Sequence, residues 1–316
     1  MAPPQLAQGP SAFRVAALVA GACVAVVCFE MSILHALAVD GGHAAADETT
    51  VDQEAKWDAG CLKPPHLKFV HIAKNAGTTI EDVAKRKNIC LGRFADLHAR
   101  RESCPTWHAP PRRHRDFYCG ADVFCVVRDP AARFMSAFRH NFYRNQKKAR
   151  ARRRSARGEP WVRCTRHHLE TFVTARLRRG DAESGRFVKN MSKGGPQGCH
   201  LLAQTAYLHP TLGGRGGPCA CLHALRLPTL ARDFAKLGDH FDLDFDLGDE
   251  RKNAKDDHCN LTVADLSRDA RRVVDEAYAE DRAIFARLVA SPYDPRRQAT
   301  LASAQRRRTP DPRRTT

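Results

Sequence analysis

The sequence has few aromatic residues and few acidic ones. Phe, Trp and Tyr make up only 7% of the 316 residues and no nucleic-acid-binding motif is recognisable, which argues against a nucleic-acid-binding protein. Only 35 Asp and Glu residues accompany 52 Lys and Arg residues, giving a net charge of +17 and a pI of about 9.7. This excess predicts an anionic partner, for which a sulfated or carboxylated polysaccharide is the remaining candidate. The chain has no internal repeats, and its length suits one folded domain with appendages.

An uninterrupted apolar run extends from Val15 to Phe29. Extended to residues 13–39, it is long enough to span a bilayer. Because Arg14 precedes the run and acidic residues follow it, the positive-inside rule predicts a cytosolic N-terminus and a lumenal remainder. A cleaved signal peptide ending near Ala38 is the alternative, and Glu30 favours it because a carboxylate near a bilayer is costly. We predict a cytosolic tail (1–12), a signal anchor (13–39), a stem (40–60), a lumenal domain (61–293) and a disordered basic tail (294–316).

Cysteines and glycosylation sequons agree with a lumenal location. Ten cysteines follow the apolar segment, which in an oxidising compartment predicts several disulfides. Cys125 falls in a predicted central strand, and we expect it to stay reduced. Sequons at Asn190 and Asn260 are acceptors for N-glycans. The ten cysteines are Cys61, Cys90, Cys104, Cys119, Cys125, Cys164, Cys199, Cys219, Cys221 and Cys259.

A first motif covers residues 68–79. Phe69 to Ile72 is a short apolar run typical of a buried parallel strand. Lys74 and then Gly77 follow it, so the chain turns into a helix whose first N–H groups suit an anion. The lysine precedes the glycine, unlike the lysine of a Walker loop. The motif therefore predicts a phosphate-sized site without a metal.

A second motif covers residues 123–138. Phe124 to Val127 is another buried strand, and Arg128 lies at its end, where ligands collect in open α/β sheets. Asp129 followed by Pro130 is a typical helix start. In the predicted helix, Phe134, Phe138 and Phe142 share one face, and Arg133, Ser136, His140 and Arg144 share another. Arg128 with Ser136 is a candidate clamp for a phosphate group.

Together the two motifs resemble the donor-binding motifs of sulfotransferases that use 3′-phosphoadenosine 5′-phosphosulfate, most closely the membrane-bound carbohydrate sulfotransferases of the Golgi. The resemblance covers roughly residues 66–290, although Ala73 stands where the family usually has proline. It implies an α/β fold with a parallel sheet flanked by helices, P-loop-like at the donor site. It also implies a single-pass type II Golgi membrane protein, or a secreted one if the N-terminal segment is cleaved. The donor-binding residues that it implies are Lys74, Asn75, Ala76, Gly77, Thr78, Thr79, Arg128 and Ser136.

The implied reaction is transfer of a sulfuryl group to a hydroxyl of an anionic glycan by in-line displacement. 3′-Phosphoadenosine 5′-phosphosulfate is the expected co-substrate, and we expect neither a metal cofactor nor a nucleic-acid partner. Lys74 would stabilise the leaving phosphate, and His108, flanked by Trp107 and prolines, is the first choice for the catalytic base. His98 and Glu81 are reserves. A tyrosylprotein or small-molecule sulfotransferase, and a non-catalytic lumenal protein that binds acidic glycans, remain as alternatives.

Two further patterns complete the sequence-based interpretation. Cys219, Cys221 and His223 offer an alternative metal site, although their spacing matches no established zinc pattern. Leucine and phenylalanine spacing predicts a helix over residues 227–237 and one longer helix over residues 273–288.

Overall fold

The computed structural model describes residues 61–62, 64, 66–94, 106–152, 162–178, 198–247 and 259–300. The predicted tail, anchor and stem (1–60) lie outside these ranges, as do Asn190 and His98. In the described ranges, no helix is both long and apolar enough to cross a membrane.

A small parallel sheet organises the described part of the chain. It contains three strands in the order β1–β2–β3, and in its register Phe69 lies opposite Phe124, which lies opposite His223. The chain is therefore an α/β protein with a parallel sheet flanked by helices, as the sequence predicts. The strands are β1 (Leu67–Phe69), β2 (Asp122–Val127) and β3 (His223–Arg226).

Both faces of the sheet are buried. Successive side chains of β2 point to opposite sides of the sheet, and those on each side pack into a hydrophobic cluster. Phe124 and Val126 join one hydrophobic cluster, whereas Val123, Cys125 and Val127 join another. Helices cover both faces, as parallel sheets require. The α-helices of the described ranges are α1 (Gly77–Arg86), α2 (Arg115–Tyr118), α3 (Pro130–Arg152), α4 (Arg166–Val173), α5 (Gly198–Leu201), α6 (Leu230–Phe241), α7 (Arg268–Ala277) and α8 (Ala279–Ala290).

Helix α3 begins where the sequence predicts it. The Oδ1 atom of Asp129 accepts a hydrogen bond from the N–H of Ala132 at 2.8 Å, which satisfies one of the free donors of the first turn. Phe134 and Phe138 lie in a cluster shared with α4 and α7, and Phe142 packs against it. The aromatic face of α3 is therefore buried, which leaves its other face available to the site.

The C-terminal helices differ in part from the prediction. Helix α6 confirms the helix expected near residues 227–237, but the single helix expected over residues 273–288 is two helices, α7 and α8. Tyr278 breaks the helix with φ −119° and ψ 28°, and its buried hydroxyl donates to the carbonyl of Leu201 at 2.7 Å. A long-range contact therefore fixes the break at a place with no proline or glycine. Residues 295–300, at the start of the predicted disordered tail, are helical.

Disulfides cross-link the described part of the chain. The prediction that the chain contains several disulfides is therefore confirmed. Cys199 is disulfide-bonded as well. The pattern fits a lumenal or secreted protein. The pairs that lie within the described ranges are Cys61–Cys90, Cys119–Cys219, Cys125–Cys221 and Cys164–Cys259.

The expectation that Cys125 stays reduced is wrong. Cys125 lies on β2, Cys221 lies just before β3, and pairing of the two strands brings their Cα atoms to 5.8 Å, a usual disulfide separation. The alternative metal site is also overturned, because both Cys219 and Cys221 are in disulfides and a metal would need their free thiolates. No group of three or more ligating side chains suited to a metal occurs among the described residues.

Candidate functional site

The loop between β1 and α1 has an unusual backbone. Lys74 and Ala76 have φ values of 69° and 61°, a left-handed conformation that non-glycine residues rarely adopt. Such strain persists only when the surroundings hold it in place. Helix α1 then starts at Gly77, and no side chain in the described ranges caps its first turn. The free N–H groups of Thr78 and Thr79 therefore belong to an uncapped helix N-terminus, which favours an anion.

Gly77 has a second role that the sequence did not indicate. A Cβ atom at this position would lie 2.1 Å from Cδ2 of His71, so any side chain would collide with the imidazole ring. His71 is buried, and its Nδ1 donates to Oε1 of Glu81 at 2.8 Å. The glycine thus lets the histidine at the end of the strand pack against the first turn of α1.

Two arginines bind the carbonyl groups of the loop from the side of β2 and α3. Arg128 donates from Nη1 to the carbonyl of Lys74 at 3.2 Å. Arg133, which is only 2% exposed, donates from Nε to the carbonyl of Ala73 at 3.1 Å. The sequence placed Arg133 on a basic face without assigning it a role, but the structure brings it directly beneath the loop.

Carboxylates offset the charge of these arginines only in part: the charge of Asp129 acts on Arg128, and Arg133 interacts electrostatically with Asp281. Neither guanidinium forms an ion pair within 4.0 Å in the described ranges, so each is able to pair with a further anion. Burial, followed by the charge of Arg139, lowers the pKa of Arg128. The arrangement is suited to receiving an anion, which would supply the missing counter-charge.

His108 is held in one orientation by its surroundings. Its Nδ1 donates to the carbonyl of His71 at 2.9 Å, and its own carbonyl accepts from the hydroxyl of Tyr207 at 2.8 Å. A carbonyl can only accept, so Nδ1 carries the proton. Burial, and then the nearby His71, hold the pKa of His108 well below its usual value. The imidazole is therefore neutral, and its Nε2 is the atom able to take a proton.

Four histidines form a row across the site, which we call the histidine row. The ring centroids of His71 and His108 lie 4.3 Å apart, those of His108 and His200 5.7 Å, and those of His200 and His140 4.9 Å. Burial followed by the charge of Lys74 lowers the pKa of His140 to about 4. Burial followed by His140 lowers the pKa of His200 to about 2.

The remaining predicted residues occupy different positions around the loop. Asn75 is 1% exposed, so its side chain points into the protein and supports the loop from below. Thr79 is buried and Thr78 half-buried in the first turn of α1. Ser136, half-buried on α3, lies one turn from both Arg133 and His140, so it shares their face. Glu81, a reserve for the catalytic base, is fully buried and lies 3.1 Å from Nε of Arg93 in an ion pair.

The sequence did not identify His71, His200 or Gln204. His71 gave a signal, because a histidine interrupts an otherwise apolar strand sequence. His200 and Gln204 gave none, since they reach the site only through the packing of the α5 segment against α3 and β2. Comparison with known proteins adds nothing to this picture: no family model, no curated protein and no solved structure matches the chain.

Proposed function

We propose that the protein transfers a sulfuryl group from 3′-phosphoadenosine 5′-phosphosulfate to a hydroxyl group of an anionic glycan. One observation carries this proposal. Lys74, Arg128 and Arg133 meet at the carboxyl ends of two adjacent parallel strands, and the two guanidiniums form no ion pair within the described ranges. Ligands of α/β proteins bind at this edge of the sheet, and the donor carries negative charge at both ends.

The two ends of the donor have separate partners in this proposal. The 5′-phosphosulfate lies at the uncapped start of α1, where Lys74 and the N–H groups of Thr78 and Thr79 balance its charge. The 3′-phosphate lies at Arg128 and Ser136, because a guanidinium presents paired donors that match phosphate oxygens.

The reaction then requires a base on the acceptor side. The acceptor oxygen attacks sulfur, the bond from sulfur to the 5′-phosphate oxygen breaks, and the hydroxyl proton moves to Nε2 of His108. Lys74 stabilises the charge that develops on the leaving phosphate. One geometric property of His108 supports this role: the hydrogen bond from Nδ1 to the carbonyl of His71 leaves Nε2 as the nitrogen that accepts a proton.

The acceptor side is basic as well. Arg144 is half-buried and Lys147 exposed on the later turns of α3, beyond His140, and they suit an acidic polysaccharide. Disulfides in the described ranges fit the Golgi lumen, where such acceptors are modified. Anchoring in the membrane by residues 13–39 belongs to the same proposal.

The deciding experiment is transfer of labelled sulfate from the donor by the disulfide-intact protein. The acceptor panel contains carboxylated, sulfated and neutral polysaccharides and a tyrosine-containing acidic peptide. We expect label in an acidic polysaccharide, and we expect Lys74→Ala to abolish most of it while the exposed Lys236→Ala, a matched control, retains it.

Other outcomes of this experiment identify the alternatives. Label in the peptide alone would replace the glycan with a protein acceptor. Binding of polysaccharide without any transfer, and without binding of 3′-phosphoadenosine 5′-phosphate, would indicate a glycan-binding protein instead of an enzyme.

A further inference from the structure

Gln204 is a buried polar residue that joins the donor loop to the end of β2. It is 2% exposed and follows α5, far along the chain from the donor loop and from β2. Its side-chain oxygen Oε1 accepts from Nδ2 of Asn75 at 2.6 Å and from the N–H of Arg128 at 3.0 Å. Its Nε2 donates to the carbonyl of Arg128 at 2.9 Å. Both ends of the side-chain amide are therefore hydrogen-bonded.

Gln204 forms hydrogen bonds with Arg128 like those that a neighbouring strand would form. β2 ends at Val127, and Arg128 is the first residue beyond it. The amide of Gln204 bonds both the N–H and the carbonyl of Arg128, as the backbone of a neighbouring strand would. Arg128 is thereby held in line with the strand although the sheet has ended. The backbone position from which its side chain extends is therefore fixed.

The contact with Asn75 fixes the other side of the site. Nδ2 of Asn75 donates to the carbonyl of Val126 at 2.7 Å as well as to Gln204. The loop that carries Lys74 is thus connected to the end of β2 through Gln204 and Asn75. The separation between Lys74 and Arg128 therefore depends on these two amides together with the bond from Arg128 to the carbonyl of Lys74.

The backbone of Gln204 is fixed by hydrogen bonds to Asp281. Asp281 on α8 is buried, and its two carboxylate oxygens accept from the N–H groups of Gln204 and Thr205, each at 2.8 Å. A side chain fixed at its backbone and at both amide atoms has little freedom to adjust. This is the arrangement expected of a residue that sets a distance between two binding groups.

We propose that Gln204 is a positioning residue that sets the spacing between the Lys74 loop and Arg128, and thereby makes the site selective for a ligand with phosphates at both the 5′ and the 3′ position. This inference rests on the proposed function. It adds that selectivity for the 3′-phosphate depends on a residue that does not touch the ligand.

Gln204→Glu is the sharpest test, because it keeps the shape of the side chain and the acceptor oxygen Oε1. It replaces the Nε2 donor to the backbone carbonyl of Arg128 by an oxygen, which cannot donate to that carbonyl. The matched control is Gln146→Glu, on α3, where the glutamine bonds the backbone of the exposed Val162 instead. The measurement is the dissociation constant of 3′-phosphoadenosine 5′-phosphate and of adenosine 5′-phosphate for each variant, with the unfolding temperature of each protein alone.

We expect the preference of the wild-type protein for the 3′-phosphorylated nucleotide to fall about tenfold in Gln204→Glu, the effect of weakening one hydrogen bond between the Arg128 guanidinium and the 3′-phosphate. Gln146→Glu should keep the full preference. An equal loss of affinity for both nucleotides in Gln204→Glu, or an unchanged preference, would overturn the inference and leave the proposed function standing. Failure of the wild-type protein to bind either nucleotide would overturn both.

A second variant keeps the test decisive if Gln204→Glu does not fold. Asn75→Asp changes the other amide of the connection, and it should lower the same preference without a change at Gln204. A folded Asn75→Asp protein with an unchanged preference would overturn the inference.

Discussion

The Nδ1 atom of His108 lies 2.9 Å from the main-chain oxygen of His71, so one histidine fixes the tautomer of the other. The partner is a carbonyl, which holds the ring without competing for a proton. The base of the proposed reaction is therefore oriented by the segment between β1 and the donor loop. The same segment of backbone holds His108 and carries Lys74.

His108→Ala tests that role. We expect turnover to fall by about 10²–10⁴-fold, the usual contribution of general base catalysis, with donor affinity unchanged because the phosphates bind elsewhere. Single-turnover transfer and product-nucleotide binding measure the two effects. The exposed His167→Ala is the control, and near-normal turnover in His108→Ala would transfer the role to His200.

Lys74→Ala and Arg128→Ala should separate turnover from binding. Lys74 meets the leaving group, so its loss should act mainly on kcat. Arg128→Ala should weaken donor binding by about 1.5–3 kcal/mol for a lost charge-assisted bond. Steady-state kinetics with varied donor concentration measure both. Equal effects of the two variants on kcat and KM would contradict the assignment of opposite ends.

Stability should fall in mild acid because of the histidine row. The folded-state pKa values of His140 and His200 are lowered to about 4 and about 2, whereas an unfolded histidine titrates near about 6.5. Below that pH the unfolded chain binds more protons than the folded one, so the free energy of unfolding decreases as pH falls. Thermal unfolding between about pH 7 and about pH 5 measures the slope.

The histidine variants separate this effect from general acid denaturation. His200→Gln should have a shallower slope than the wild-type protein, while the exposed His167→Gln should keep the wild-type slope. An identical slope in all three proteins would show that His200 binds protons equally in the folded and unfolded states.

Peptide mapping without reduction should recover the disulfide pairs, including Cys125–Cys221. Cys199 is also bonded, so we expect a fifth linked peptide that contains it. Replacing Cys125 and Cys221 together by alanine should cost about 2–5 kcal/mol of stability, the usual loss for a native disulfide. A free thiol at Cys125 in the native protein would contradict the pairing.

Asn260 should carry an N-glycan when the chain is made in eukaryotic cells. It is exposed, next to the bonded Cys259. Asn260→Gln should reduce the mobility shift that endoglycosidase treatment produces, and Asn190→Gln serves as the comparison at the other sequon. An unchanged shift in Asn260→Gln would exclude this site.

The sequence predicted the local features of the fold well. β2 and the start of α3 follow from an apolar run with several valines and from the Asp129–Pro130 start signal, which act over a few residues. β1 is Leu67–Phe69 and overlaps the predicted Phe69–Ile72 strand only at Phe69. β3 has no such signal, because His223, Ala224, Leu225 and Arg226 include no β-branched or aromatic residue, and its pairing with β2 decides its conformation.

The same distinction applies to the site. Lys74 and Arg128 stand at strand ends, where the local pattern indicates them. Gln204 reaches the site through hydrogen bonds to residues 76 and 129 positions away in sequence, and no local pattern indicates such contacts. The error over Cys125 has the same origin, since its partner is 96 residues distant.

The bond between Cys125 and Cys221 turns the intervening chain into a covalent ring. That ring carries Arg128, Arg133, His200 and Gln204, whereas Lys74 and His108 lie outside it, on the N-terminal side of Cys125. A single proteolytic cut between Cys164 and Cys219 would open the ring but leave both fragments joined. The Cys119–Cys219 and Cys164–Cys259 bonds span the same cut, so three disulfides hold the two fragments together. A nicked protein would consequently keep its mass on a gel until reductant is added.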